Sequence, residues 1–145
     1  MVDIRNEREQ VGLTQNQLAR MAGVAPSNLS AIESGRRRPS PQMVERLRAA
    51  MRRPSTALAE HREEVMELIG RHGGTSPQVF GSVAKGRDVP GSDLDILVSV
   101  KPEDAWRFAS LRPALIALLG VDVDVVPVSG LKEKHRRILE EAVPL

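Results

Sequence analysis

Three short stretches of this sequence carry groups that could do chemistry together. Asp93 and Asp95 flank Leu94 at the head of an apolar run, and Asp122 and Asp124 flank Val123 at the head of another. Gly81-Ser82 stands upstream, with ten mostly small or polar residues between Ser82 and Asp93. Side chains alternate faces along a strand, so each Asp-x-Asp pair points two carboxylates the same way. Like charges held that close repel and raise one pKa unless a cation lies between them. Hard oxygen ligands without His or Cys select Mg²⁺ or Mn²⁺. If the two strands are neighbours, a third carboxylate joins the first pair. Three carboxylates can hold two metals, the arrangement that stabilises the attacking and leaving oxygens of phosphoryl transfer.

Gly81-Ser82 supplies the complement. A glycine at a strand end, followed by a small hydroxyl residue, lets backbone N–H groups and the hydroxyl hold a phosphate. Lys85 and Arg87 add positive charge nearby. The pattern is neither a Walker A loop nor a GxSxG elbow, which excludes ordinary P-loop chemistry and serine hydrolysis. The absence of Cys excludes a disulfide framework, Cys-ligated zinc and thiol catalysis. His61, His72 and His135 are scattered and fit surface or capping roles.

The elements that must position these groups follow from the apolar pattern. Hydrophobic residues make up 41% of the chain but aromatics only 2%, so the core must be aliphatic. Strands are predicted at 78–80, 93–100 and 121–128, and helices at 56–71, 103–119 and 131–142. Before residue 52 there is no strand candidate. Thr14 caps a helix at 15–21, Gly23 marks a tight turn, and a second helix spans 25–34 with Pro26 in its first turn. Ser40-Pro41 opens another, with Met43, Val44, Leu47 and Met51 at helical spacing. Residues 4–11 carry apolar side chains only at their ends, and Gly12-Leu13 breaks that segment. The expected fold is α+β: an all-α domain at 1–54 followed by a small mixed α/β domain at 55–145.

Charge divides at the same place. Residues 1–55 hold ten Lys/Arg against five Asp/Glu, a net +5, while residues 56–145 hold eleven against fourteen, a net −3. A basic front and an acidic back suit different partners. The two helices joined by the glycine turn have helix-turn-helix geometry. The second presents Ser27, Asn28 and Ser30 for base edges or phosphates, and Arg36-Arg37-Arg38 are placed to meet the DNA backbone. The competing reading is a helical module that binds protein, with the arginines merely solvated.

The string LTQNQLARMAGVAPSNLSAIESGRRRPSPQMVERL resembles the lambda-repressor/Cro-like (XRE-type) helix-turn-helix family, over roughly residues 4–53. That resemblance implies phosphate contact by Gln15 and a DNA surface that includes Gln17, Pro26, Ser27, Asn28 and Ser30. It also implies dimers on operator half-sites about one helical turn apart. GS, ten residues, DLD and then VDVVPV resemble the minimal nucleotidyltransferases of the DNA polymerase β superfamily, over roughly residues 60–145. The closing LKEKHRRILEEAVPL is similar to that family's last helix.

The second resemblance assigns roles. Gly81 and Ser82 match the pair that binds the nucleoside triphosphate, and Asp93 and Asp95 match the ligands that bridge both metals. Asp124 matches the third carboxylate, with Asp122 secondary. Many members have Arg after Gly-Ser where this chain has Val83 and Lys85, and lysine lacks the bidentate phosphate geometry of arginine.

The implied activity is Mg²⁺-dependent (or Mn²⁺-dependent) transfer of NMP, with AMP from ATP as the expected case, to a hydroxyl with release of pyrophosphate. Standalone members resemble antitoxins that pair with HEPN-type toxins and nucleotidylate them. The implied partners are operator DNA and a toxin, in a homodimer or a hetero-oligomer. Two rivals remain open: a regulator whose nucleotidyltransferase fold senses a nucleotide or binds a partner without catalysis, and an antibiotic-modifying enzyme, for which the chain is short. The polar N-terminus and the lack of any apolar run near the roughly 18 residues of a membrane span lead to a cytoplasmic expectation.

Overall fold

Helically spaced aliphatic residues close the first of two separate cores. The computed structural model, which describes residues 2–145, divides the chain into one unit ending at Arg52 and a second at Arg53–Leu145. In the first, Asp3 accepts from Asn6 N–H at 3.0 Å and starts α1 (Ile4–Gln10). The segment is therefore helical through Gln10, with Val11 as its C-cap. Ile4 and Arg8, one turn apart, are its buried positions, and Arg8 is an ion-pair partner that apolar periodicity cannot reveal. In α2 (Gln15–Ala22), Thr14 Oγ1 accepts from Gln17 N–H at 3.1 Å while Gln17 Oε1 accepts from Thr14 N–H at 2.8 Å. This capping box satisfies two backbone donors the helix leaves unpaired. Gly23, at φ +66°, ends α2 in a left-handed turn that a Cβ would strain.

α3 (Pro26–Glu33) begins on a proline, and Ser40 caps α4 (Pro41–Met51) by accepting from Met43 N–H at 3.1 Å. Leu18, Ala19, Leu29 and Leu47 are fully buried between the helices, with Ile4, Val24, Ile32 and Met51 around them.

The second unit opens with α5 (Pro54–Glu60) and α6 (Arg62–Arg71). The single helix expected at 56–71 is broken at His61, whose φ of −123° is not helical. No Gly or Pro marks that break. β1 (Gly74–Phe80) carries a register shift between Thr75 and Gln78 and runs into the short α7 (Gly81–Ala84). β2 (Leu94–Val100) follows. Then a 3₁₀ turn at Pro102–Asp104 leads to α8 (Ala105–Phe108) and α9 (Leu111–Leu119), where one helix at 103–119 was expected. β3 (Val123–Pro127), α10 (Arg136–Glu141) and β4 (Val143–Pro144) complete the unit. Residues 131–135 stay outside α10, and β4 was not foreseen. Among the described residues no helix is long and apolar enough to cross a membrane.

The strands form one mixed sheet in the order β3-β2-β1-β4, with β2 parallel to β3 and β1 antiparallel to both β2 and β4. Leu94, Ile96 and Val98 from β2 and Val123 from β3 enter one aliphatic core with Val65 and Ile69 of α6 and Leu111, Leu115 and Leu119 of α9. Strand parity then sets the rest: with 94, 96 and 98 turned toward the helices, 93 and 95 face the other way. The same rule turns Asp122 and Asp124 away from the core that takes Val123 and Val125.

Candidate active site

The carboxylates owe their placement to this register. Asp95 and Asp124 are direct partners on the parallel strands β2 and β3, so their side chains share a face. Asp93 precedes β2 instead of starting it, and is exposed on the same parity as Asp95. Leu94 N–H donates to Asp122 O at 2.9 Å, which locks the two strand entrances together. Asp124 is exposed and Asp95 half-buried. The Asp95 carboxyl is pushed up to about 6, first by burial and then by the negative charges of Asp124 and Asp93. Asp93 and Asp124 thus add their charge to Asp95 on one face, an arrangement whose donors suit a hard divalent cation. As their side chains stand, no three His, Cys or carboxylate residues among those described close on a common point. The register fixes the backbone of Asp95 and Asp124, and a formed metal cage is not present among the described residues.

Gly81 completes the constellation. Its φ is +72°, and a Cβ there would fall on the Asp95 carboxylate, so glycine alone lets the chain leave β1 beside Asp95. Phe80, the residue before it, is the register partner of Asp95. Ser82 is half-buried in α7, and its carbonyl accepts from Arg87 N–H at 2.9 Å. Lys85, expected to face phosphate, reaches Glu141 of α10 at 3.2 Å. Nothing in the local sequence announced that pairing, since the partner lies at the other end of the unit.

In the first unit, the Glu33 side chain is 3% exposed and receives Arg8 in a bidentate pair, with Nη2–Oε1 at 2.8 Å. Gln15 Nε2 also donates to Glu33, at 3.2 Å, so this buried carboxylate orients the side chain expected on phosphate. Gln17 gives its carbonyl to the capping box and has a structural duty beside any contact with DNA. Pro26 and Ser27 are exposed on α3 and Ser30 is half-buried. Asn28 was expected to point outward, but its Oδ1 is buried without a hydrogen-bond partner. Arg36, Arg37 and Arg38 are all exposed just past α3. Arg46, which sequence reasoning passed over, donates to Ala22 O at 2.6 Å and Gly23 O at 3.0 Å and so holds the turn between α2 and α3.

Comparison with known proteins follows the same division. Residues 58–145 match the nucleotidyltransferase domain family, and residues 4–58 match a helix-turn-helix family. The protein adenylyltransferase MntA of Thermococcus cleftensis is 38% identical over 88 residues, which cover 59% of this chain and 86% of that protein. An uncharacterized HTH-type transcriptional regulator of Methanothermobacter thermautotrophicus is 37% identical over 65 residues, covering 45% of this chain and 86% of its own length. A solved structure titled as a minimal nucleotidyltransferase is 43% identical with a TM-score of 0.57, covering 63% of this chain and 95% of its own.

Proposed function

Because the chain belongs to the nucleotidyltransferase domain family and carries a helix-turn-helix ahead of that domain, we propose that it is a DNA-binding protein adenylyltransferase. In this reading it moves AMP from ATP to a hydroxyl of a partner toxin of the HEPN type, in the cytoplasm, and represses the operon that encodes the pair. The observation that carries it is the juxtaposition of Gly81, Asp95 and Asp124, a glycine turn against two carboxylates in register on parallel strands.

In the reaction, the acceptor hydroxyl oxygen bonds to the α-phosphorus, and the bond from that phosphorus to the bridging oxygen breaks. Pyrophosphate leaves with the electron pair, and the hydroxyl proton passes to water beside the exposed Asp124. Asp93, Asp95 and Asp124 are the residues that would hold Mg²⁺, which when bound neutralises phosphate charge and favours the ionised acceptor. Gly81 and Ser82 bring backbone N–H groups and a hydroxyl to the triphosphate. Lys85, released from Glu141, gives it a point charge. The protein contributes position more than covalent chemistry, which is where most of the rate of such a transfer resides.

The test is co-expression with the proteins encoded on either side of this chain, followed by mass spectrometry of the partner and gel shifts on the upstream DNA. An added AMP on a Tyr, Ser or Thr of the partner, absent with Asp93→Ala, is the expected result. An unmodified partner that still binds the wild type would replace transfer with a non-catalytic, nucleotide-sensing role.

A further inference from the structure

Asp88 is a buried carboxylate that the chemistry above leaves without a task. It lies in the segment 85–92, which joins α7 to Asp93, and is only 4% exposed. Its Oδ2 accepts from Ser55 N–H, in the first turn of α5, at 2.8 Å. Burying a carboxylate is costly unless it is bound, and a hydrogen bond from a backbone N–H to an ionised acceptor is among the stronger kinds. The same segment is tied elsewhere. Arg87 N–H reaches Ser82 O at 2.9 Å, and Val89 N–H reaches Ser92 Oγ at 3.0 Å. Ser92 N–H returns to Val89 O at 2.9 Å, and Pro90 is buried beside them. Lys85, Gly86, Arg87, Val89 and Gly91 are exposed, so the two buried residues anchor a strip that otherwise lies in solvent.

We propose that Asp88 is a positioning residue for nucleotide binding: by fastening segment 85–92 to α5, it fixes where that segment delivers Asp93, which stands ahead of β2, relative to the Gly81-Ser82 turn and Asp95 that the β1–β2 register already holds together. This rests on the reading of those groups as triphosphate and metal contacts. A bound Mg²⁺·nucleotide would meet Asp93 at the end of this segment, so slack in it loosens that contact while the register-held groups stay in place. Displacements of about 1 Å at such a site cost roughly a hundredfold in rate. The role needs an acceptor at position 88; the negative charge is not required. Asp88→Asn keeps an acceptor of the same shape, whereas Asp88→Ala leaves the half-buried Ser55 N–H without its side-chain acceptor.

The experiment is calorimetric titration of the full chain with Mg²⁺ and α,β-methylene-ATP, beside native-state amide exchange, for wild type, Asp88→Ala and Asp88→Asn. With Asp88→Ala, the expected Kd is about tenfold higher, the scale of one buried hydrogen bond. Protection falls at the Ser55, Val89 and Leu94 amides, while Val65 and Ile69 in the core keep theirs. Asp88→Asn stays within about threefold of wild type, since its amide oxygen restores the bond. An Asp88→Ala protein that binds nucleotide like wild type overturns the inference, as does Asp88→Asn failing as badly as alanine. If the wild type binds no nucleotide while Asp88→Ala still loses protection at Ser55 and Leu94, the functional reading falls and the tether stands. Unchanged protection at those amides overturns the tether itself.

Discussion

The two units place their functional groups by different physical means. In the first, side chains do the placing: Glu33 draws in Arg8 and Gln15, Arg46 holds the turn after α2, and three arginines extend past α3. In the second, the backbone does it. Asp95 meets Asp124 because β2 and β3 are parallel in a register that sends Leu94, Ile96 and Val123 to the core. A site built on side-chain networks can be changed one group at a time. A site built on register moves as a block, since a slip of one residue would exchange every carboxylate for a core aliphatic.

The largest effect expected from breaking one unit and sparing the other is in transfer. Asp95→Asn removes a carboxylate whose cation would supply several kcal/mol of transition-state stabilisation, so labelling falls by roughly 10³ or more. Gel shifts with operator DNA stay at wild-type affinity. Loss of both activities together would show that the units do not work separately.

Next in size is Glu33→Ala, which strands the buried Arg8 guanidinium. Such a deletion costs about 3–5 kcal/mol, enough to unfold a small helical unit near ambient temperature. Calorimetry of the full chain should show the first unit's transition lowered while the second unit's transition and its nucleotide binding stay in place. A milder change on the same side is the triple replacement of Arg36, Arg37 and Arg38 by Ala. Each lost phosphate contact lowers the salt dependence of DNA affinity by about one unit of slope. The triple variant should therefore lose up to about three, evenly across DNA sequences. An unchanged slope would make the arginines solvated surface only.

The smallest effect concerns pH. Asp95 has a folded pKa near 6 against 3.8 in the free side chain, so the folded chain holds a proton that the unfolded chain has released. Without metal, stability of the second unit therefore falls as pH rises from about 4 through 6, since the native state binds more protons there. Mg²⁺ binds the ionised form, so it should stabilise the unit at pH 7, and its affinity should drop as pH is lowered through 6. Urea unfolding at pH 5 and pH 7, with and without Mg²⁺, measures both signs, and Asp95→Asn should erase them.

What the sequence made legible differs between the units in the same way. The Asp-x-Asp pairs on apolar runs were readable because strand parity is local, and the helix-turn-helix was readable because caps and glycine turns are local. Pairings across the chain left no such trace. Arg8 with Glu33, Ser55 with Asp88 and Lys85 with Glu141 each join residues far apart in sequence. The break at His61 carries neither glycine nor proline, whereas the division of residues 103–119 has a local cause that the apolar pattern hid: Pro113 lacks an N–H and its ring disfavours helix through Ala109. β4 is two residues long and ends on Pro144, so it has no periodicity to detect; its partners Gln78 and Val79 define it.

In the proposed reaction the nucleotidyl group passes from ATP to the acceptor at the register-built carboxylates. The measurement that meets it most directly is incubation of the purified chain with α-phosphate-labelled ATP, Mg²⁺, its chromosomal neighbour and source-cell lysate, wild type against Asp95→Asn. The expected result is a labelled macromolecule formed by the wild type and absent with the variant. No label from any of the four NTPs, with operator binding intact and the second unit folded, would contradict it.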